Sequence, residues 1–185
     1  MQPDRPAVQT LRHTAARRAL LAYSAVAALA AGADLLSKQA AVSMLGDRVV
    51  PLLDRLSLML VFNTGSAGGV MIGPYTWQLN VITTVMALVL ITSVASALIA
   101  VDRRATLALG LIAGGAIGNL ASMLAGPEGV ADFLALQLTS DLTIVMNVAD
   151  LALWLGALSL APVVVTLVKA IRAERSGSRA VLVKA

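Results

Sequence analysis

Four apolar stretches, residues 19–44, 77–101, 105–124 and 149–170, constrain this chain more than any other feature of it. Each approaches the roughly 20 residues that an α-helix needs to cross a bilayer. A segment in lipid has no water to satisfy its N–H and C=O groups, so each is expected as a helix. Hydrophobic residues make up 58% of the 185 and charged residues only 13%, too little polar surface for a water-soluble domain of that size. The expected fold class is a membrane all-α core of four transmembrane helices, with a small extracytoplasmic β-platform between the first and second. One domain is expected over residues 1–175, followed by a mobile cytoplasmic tail, 176–185.

The platform is read from residues 46–76. The stretch "GDRVVPLLDRLSLMLVFNTGSAGGVMIGPY" has an alternating Leu56-Ser57-Leu58, β-branched residues and a glycine-rich end, which suit short strands and turns better than a fifth crossing. Basic residues give the orientation. Arg5, Arg12, Arg17 and Arg18 precede the first span, Arg103 and Arg104 join the second to the third, and Lys169, Arg172, Arg175, Arg179 and Lys184 lie at or beyond the end of the fourth. The other two connections hold only Arg48 and Arg55 between them, so the positive-inside tendency puts both termini in the cytoplasm. The same placement beside hydrophobic spans explains the net charge of +4 without nucleic acid as a partner. Basic residues, an apolar run and Ala31-Gly32-Ala33 imitate a cleavable signal peptide, but the apolar pattern continues through "DLLSKQAAVSML", so an uncleaved first helix is expected.

The chain has no cysteine and one histidine, His13, in the cationic segment "LRHTAARR". Thiolate chemistry is thereby excluded, and a solvated His13 is expected, because catalytic zinc normally takes three protein ligands. Chemistry must come from carboxylates, lysines or hydroxyls. An aspartate near the centre of a membrane helix costs roughly 2.5 to 3.5 kcal/mol on insertion scales, so each one is a functional candidate. Asp34 and Lys38 lie four apart in "DLLSK" and are expected to neutralise each other on one helix face. Asn119 follows Gly114, Gly115 and Gly118 in "GGAIGN"; the glycines suit close helix packing, and the asparagine suits either interhelical bonding or an active centre.

Between residues 129 and 150, "GVADFLALQLTSDLTIVMNVAD" carries Asp132, Asp141 and Asp150 with no lysine or arginine. Asp141 in "LTSDLT" reads as a solvated turn residue. Asp150, three after Asn147, shares a helix side with it and also suits a first helical turn. Asp132 has apolar neighbours and no helix to cap. Two carboxylates brought together at a membrane surface cannot both ionise cheaply, so one keeps a proton while the other stays charged, a general acid and a general base from one residue type.

With these motifs in order, the chain resembles signal peptidase II, the bacterial lipoprotein signal peptidase family. "DLLSK" resembles its Asp-x-x-Ser/Thr-Lys, "NTGSAGG" its Asn-x-Gly-Ala-Ala-Phe, "GGAIGN" its glycine-rich third helix, "GVADFL" its Val-Val-Asp-Phe and "MNVAD" its Phe-Asn-x-Ala-Asp. The resemblance implies an aspartic-type endopeptidase with Asp132 and Asp150 as its dyad. It implies polar or supporting roles for Asn63, Gly65, Asn119, Asn147, Asp34 and Lys38, and no metal or organic cofactor. It also implies, as partners, membrane lipid and a prolipoprotein signal peptide cleaved before a diacylglyceryl-cysteine. The implied setting is the bacterial cytoplasmic membrane, with the site near the outer face of a monomer. Ser122 and Met123 stand where the family usually has Asp-Arg, and Gly68 where it has phenylalanine. These departures leave a divergent paralogue, or a non-catalytic lipopeptide-binding protein, as the alternative. A Ser/Lys hydrolase built on Ser66 or Ser37 with Lys38, and a proton-coupled carrier, are the weaker rivals.

Overall fold

The computed structural model describes residues 5–65, 69–125 and 129–182. Ser66, Gly68 and Lys184 lie outside the described residues, as do the side chains of His13 and Arg179. Along the chain run α1 (Arg5–Met44), β1 (Val50–Leu53), β2 (Leu56–Asn63), α2 (Thr76–Val101), α3 (Arg104–Ala125), β3 (Val130–Gln137), β4 (Thr143–Met146) and α4 (Val148–Leu182). Among the described residues, four helical segments are long and apolar enough to cross a membrane: Thr14–Met44, Thr76–Val101, Arg104–Ala125 and Val148–Ser176. They contain the four expected spans. Helix α4 continues through Leu182, into the polar stretch expected as a tail from residue 176. Arg172, Ala173, Glu174 and Arg175, which lead into that stretch, are good helix formers.

Helix α3 is the centre of the bundle, and its glycines let two neighbours approach. A β-carbon on Gly110 would lie 2.7 Å from Val26, and one on Gly114 2.6 Å from the Ala27 carbonyl oxygen, both on α1. Gly118 continues this four-residue stripe against Asp34. Gly115 is turned towards α4, where a β-carbon would come 2.5 Å from the Ala149 carbonyl oxygen. In lipid, where tails are as apolar as leucine, such backbone proximity is a principal source of helix association. Helix α2 is more peripheral. Its buried residues are Thr76 at one end and Ala95 and Ile99 at the other, the latter two in a cluster with Tyr23, Ala105, Leu109 and Val163.

The platform is a four-stranded antiparallel sheet in the order β1-β2-β3-β4. The platform expected between α1 and α2 is present as β1 and β2, and β3 and β4 from the connection between α3 and α4 extend it. The short, partly polar "VADFLALQ" disguises β3, because half of its residues are buried and only Gln137 is exposed, so it shows little of the alternation that marks a half-exposed strand. Phe133 of β3 packs with Ala41 and Leu45 at the end of α1, and Leu58, Leu60 and Val148 close round them. The sheet is thereby seated on the end of the bundle where α1 and α3 finish and α4 begins.

Candidate active site

One irregularity in the sheet decides which polar groups meet. Strands β2 and β3 pair Leu58 with Leu134, but further along Val61 pairs with Asp132, Phe62 with Ala131 and Asn63 with Val130. Two steps on β3 thus match three on β2, the signature of a β-bulge. Had the first register continued, Phe62 would oppose Val130 and Asn63 would point to the other face, since side chains alternate with period two. The extra residue places Asn63 diagonally across from Asp132, and its Nδ2 donates to Asp132 Oδ2 at 3.3 Å.

The second carboxylate comes from the first turn of α4. Asn147 immediately precedes that helix. Its Oδ1 accepts from the Asp150 N–H, and Asp150 Oδ2 accepts from the Asn147 N–H, both at 3.0 Å. This is a reciprocal cap, satisfying two amides that the helix start leaves unpaired. The capping role expected of Asp150 is therefore real, and it coexists with a place in the polar centre.

Asn147 also joins the two aspartates. Its Nδ2 donates to Asp132 Oδ1 at 2.6 Å and to Asn119 Oδ1 at 3.2 Å. Asn119 Nδ2 donates to Asp150 Oδ1 at 3.0 Å, and its Oδ1 accepts from Lys38 Nζ at 2.8 Å. Lys38 Nζ in turn donates to Asp34 Oδ2 at 2.6 Å, the neutralising pair expected from the four-residue spacing. Asp34 Oδ1 accepts from the Ala149 N–H at 2.8 Å, so α1 holds the α4 N-terminus directly. Asp34 is fully buried and Asn147 and Lys38 nearly so. Among the described residues no buried side-chain nitrogen or oxygen lacks a partner, as buried polar networks require.

Burial pushes the Asp132 carboxyl up to about 6. The Asn147 hydrogen bond opposes that rise, the charge of Asp150 adds to it, and Asn63 and the Lys38 ammonium oppose it. Raised by desolvation and by a like charge, this carboxyl can exchange a proton near neutral pH.

Gly65 lies in the turn beside Asn63, its N–H donating to Asn63 Oδ1 at 2.9 Å. Asp141 is elsewhere. It is exposed in the turn between β3 and β4, where its N–H donates to Thr139 Oγ1. Ser37 Oγ donates to the Asp34 carbonyl at 2.8 Å, while Lys38 is engaged with Asp34 and Asn119, so the two do not form a nucleophile and base. Ser122 bonds back to the Gly118 carbonyl and Met123 is buried. The uncharged pair in these positions leaves no stranded ion. Met123 instead lines a cavity of about 650 Å³ with Thr64, Met71, Pro74, Trp77 and Leu124. No group of acidic or histidine side chains suited to a metal ion occurs among the described residues.

A family model described as "Signal peptidase (SPase) II" matches residues 26–166. A lipoprotein signal peptidase of Maridesulfovibrio salexigens is 36% identical over 107 residues, 56% of this chain and 68% of that protein. Two solved structures described as a bacterial membrane enzyme, obtained by the in meso method at 2.3 and 1.9 Å resolution, share the fold at 19% identity. The first has a TM-score of 0.65 over 80% of this chain and 87% of its own, the second 0.62 over 75% and 88%.

Proposed function

The chain belongs to the signal peptidase II family, and on that premise we propose that it is an aspartic-type endopeptidase of the membrane. It removes the signal peptide from diacylglyceryl-modified prolipoproteins, cutting before the lipidated cysteine with Asp132 and Asp150. The observation that carries this reading is the asparagine between them: Asn147 donates to Asp132 through Nδ2 and exchanges two hydrogen bonds with Asp150. Two carboxylates fixed by one residue, one of them pushed up to about 6, form an acid and base pair.

In the reaction, Asp132 holds the proton and donates it to the scissile carbonyl oxygen. Asp150 takes a proton from water as the water oxygen attacks the carbonyl carbon. Collapse of the tetrahedral species breaks the C–N bond: the proton on Asp150 passes to the departing amine of the lipidated cysteine, and a hydroxyl proton of the tetrahedral carbon returns to Asp132 as the carboxylic product forms. Asn119 and Asn147 keep the pair oriented, and the Asp34–Lys38 couple fixes the helix that carries Asp150. Residues 1–175 act as one peptidase domain, with both termini in the cytoplasm and the sheet over the outer leaflet. That placement follows the basic residues around Arg17, Arg103 and Arg172, and a site at the interface meets a substrate whose signal helix and lipid lie in the bilayer. The protein needs no partner subunit in this scheme.

The test is cleavage of a diacylglyceryl-modified prolipoprotein by the purified protein in lipid, with product masses recorded. Cleavage at the bond before the modified cysteine supports the peptidase reading. Binding of the substrate by a folded protein that never cleaves it would favour the lipopeptide-binding alternative.

A further inference from the structure

Three hydrogen bonds run from α2 to the acid pair. Asn80 Nδ2 donates to the Gly65 carbonyl oxygen at 3.1 Å, the Gly65 N–H donates to Asn63 Oδ1 at 2.9 Å, and Asn63 Nδ2 donates to Asp132 Oδ2 at 3.3 Å. Each bond uses different atoms, so all three coexist. The middle bond fixes the sense of the Asn63 amide. With its oxygen taken by Gly65, only its NH2 can face Asp132, and an NH2 supports the charged carboxylate where an oxygen would repel it.

The segment 63–65 thus depends on what holds Gly65. Helix α2 is packed chiefly at its far end, through Ala95 and Ile99. Near its start it is tied by Trp77 Nε1, which donates to the Met123 carbonyl at 3.1 Å, and by Asn80. An amide one turn inside so apolar a helix is costly in lipid unless it is bonded. The cavity of about 650 Å³ is lined by both Trp77 and Thr64, so α2 and the Asn63 segment border the same space.

We propose that Asn80 is a positioning residue: by holding the Gly65 carbonyl it sets the turn that presents the Asn63 NH2 to Asp132. Its effect on turnover rests on the peptidase reading above, but its effect on Asp132 does not. The charged groups acting on Asp132 are Lys38 of α1 and Asp150 of α4, and both are retained when Asn80 is changed.

The experiment compares the full-length protein in lipid nanodiscs with Asn80→Ala, Asn63→Ala and the double variant, using a diacylglyceryl-modified prolipoprotein. Asn80→Ala is expected to lower kcat roughly three- to tenfold, the effect of one hydrogen bond, with KM little changed. In the Asn63→Ala background the same change should add nothing, since both act through one contact. A loss equal to that in the wild type would overturn the proposal. The Asp132 carboxyl is followed in parallel by 13C NMR of aspartate-labelled protein, assigned against Asp132→Asn. Asn80→Ala is expected to move its titration upward, and an unmoved titration would overturn the proposal without any need for turnover. A moved titration in a wild-type protein that cleaves nothing would instead sustain the role of Asn80 and sink the peptidase reading.

Discussion

Asn147 and Asp150 each accept a hydrogen bond from the other's backbone N–H at 3.0 Å. The cap that starts α4 is therefore made by two groups that also face the polar centre, and the helix start and the acid pair share one geometry. A carboxylate on a helix terminus built this way has little freedom to leave its partner, which is what positioning for acid and base chemistry requires.

The two tasks of Asn147 are separable. Serine at this position can still accept the Asp150 N–H as a helix cap but has no NH2 for Asp132. Asn147→Ser is expected to unfold within a few degrees of the wild type in detergent while turnover falls at least about tenfold, the loss of a hydrogen bond to a charged group. Asn147→Ala should lose similar activity and a further roughly 1 kcal/mol of stability from the missing cap. Thermal unfolding and initial rates on the same preparations check both.

Asp34 and Lys38 form a buried pair at 2.6 Å, so removing one member strands the other. Asp34→Asn and Lys38→Met singly are each expected to destabilise the protein by about 3 to 5 kcal/mol, and the pair of changes together by much less. A denaturation series of the three variants in lipid decides the point. Equal losses in all three would mean that the pair is not a unit.

Gly118 faces the Asp34 carboxylate with no room for a β-carbon. Gly118→Ala must push either the carboxylate or α3 aside, at about 1 to 3 kcal/mol. Because Asp34 also holds the Ala149 N–H, turnover should fall with stability. An alanine variant with unchanged unfolding temperature and rate would contradict the packing described here.

The Asp132 carboxyl, pushed up to about 6 by burial, sets a pH dependence of definite sign. In the unfolded chain the carboxyl loses its proton at its ordinary, lower value, so between that value and about 6 the folded protein binds more protons. Its contribution to stability is full below this window and lost as pH rises through it. Asp132→Asn should remove that slope. In the free enzyme the protonated acid is depleted above about 6, so kcat/KM should fall on the alkaline side, and Asn63→Ala, which removes a bond favouring the charged form, should move the fall to higher pH. An acid-side fall alone, with a flat alkaline limb, would assign the proton elsewhere.

Much of this was legible in the sequence because lipid imposes a strict grammar. Four long apolar runs can only be helices in a bilayer, and few polar residues are found inside them without partners, so Asp34, Lys38, Asn119 and Asp150 stood out. The sheet was half legible. The alternation of Leu56-Ser57-Leu58 marked β2, but β3 has only its last residue exposed and gives no comparable signal. What sequence could not supply was the bulge in β2, which depends on pairing with a distant strand and brings Asn63 to the face of Asp132. Nor could it supply the tie from Asn80 to Gly65, since an asparagine near a helix start looks like any interfacial polar residue.

The central claim is that Asp132 and Asp150 work as a pair while Asp141, exposed in its turn, takes no part. Its most direct test is the single-turnover rate on a diacylglyceryl-modified prolipoprotein in lipid, for wild type, Asp132→Asn, Asp150→Asn and Asp141→Asn. The account predicts that the first two substitutions each cost at least about 100-fold, the usual range for removing a general acid or base, and that Asp141→Asn cleaves within about twofold of wild type, as an exposed polar substitution should. Wild-type-like cleavage by folded Asp132→Asn or Asp150→Asn would contradict it.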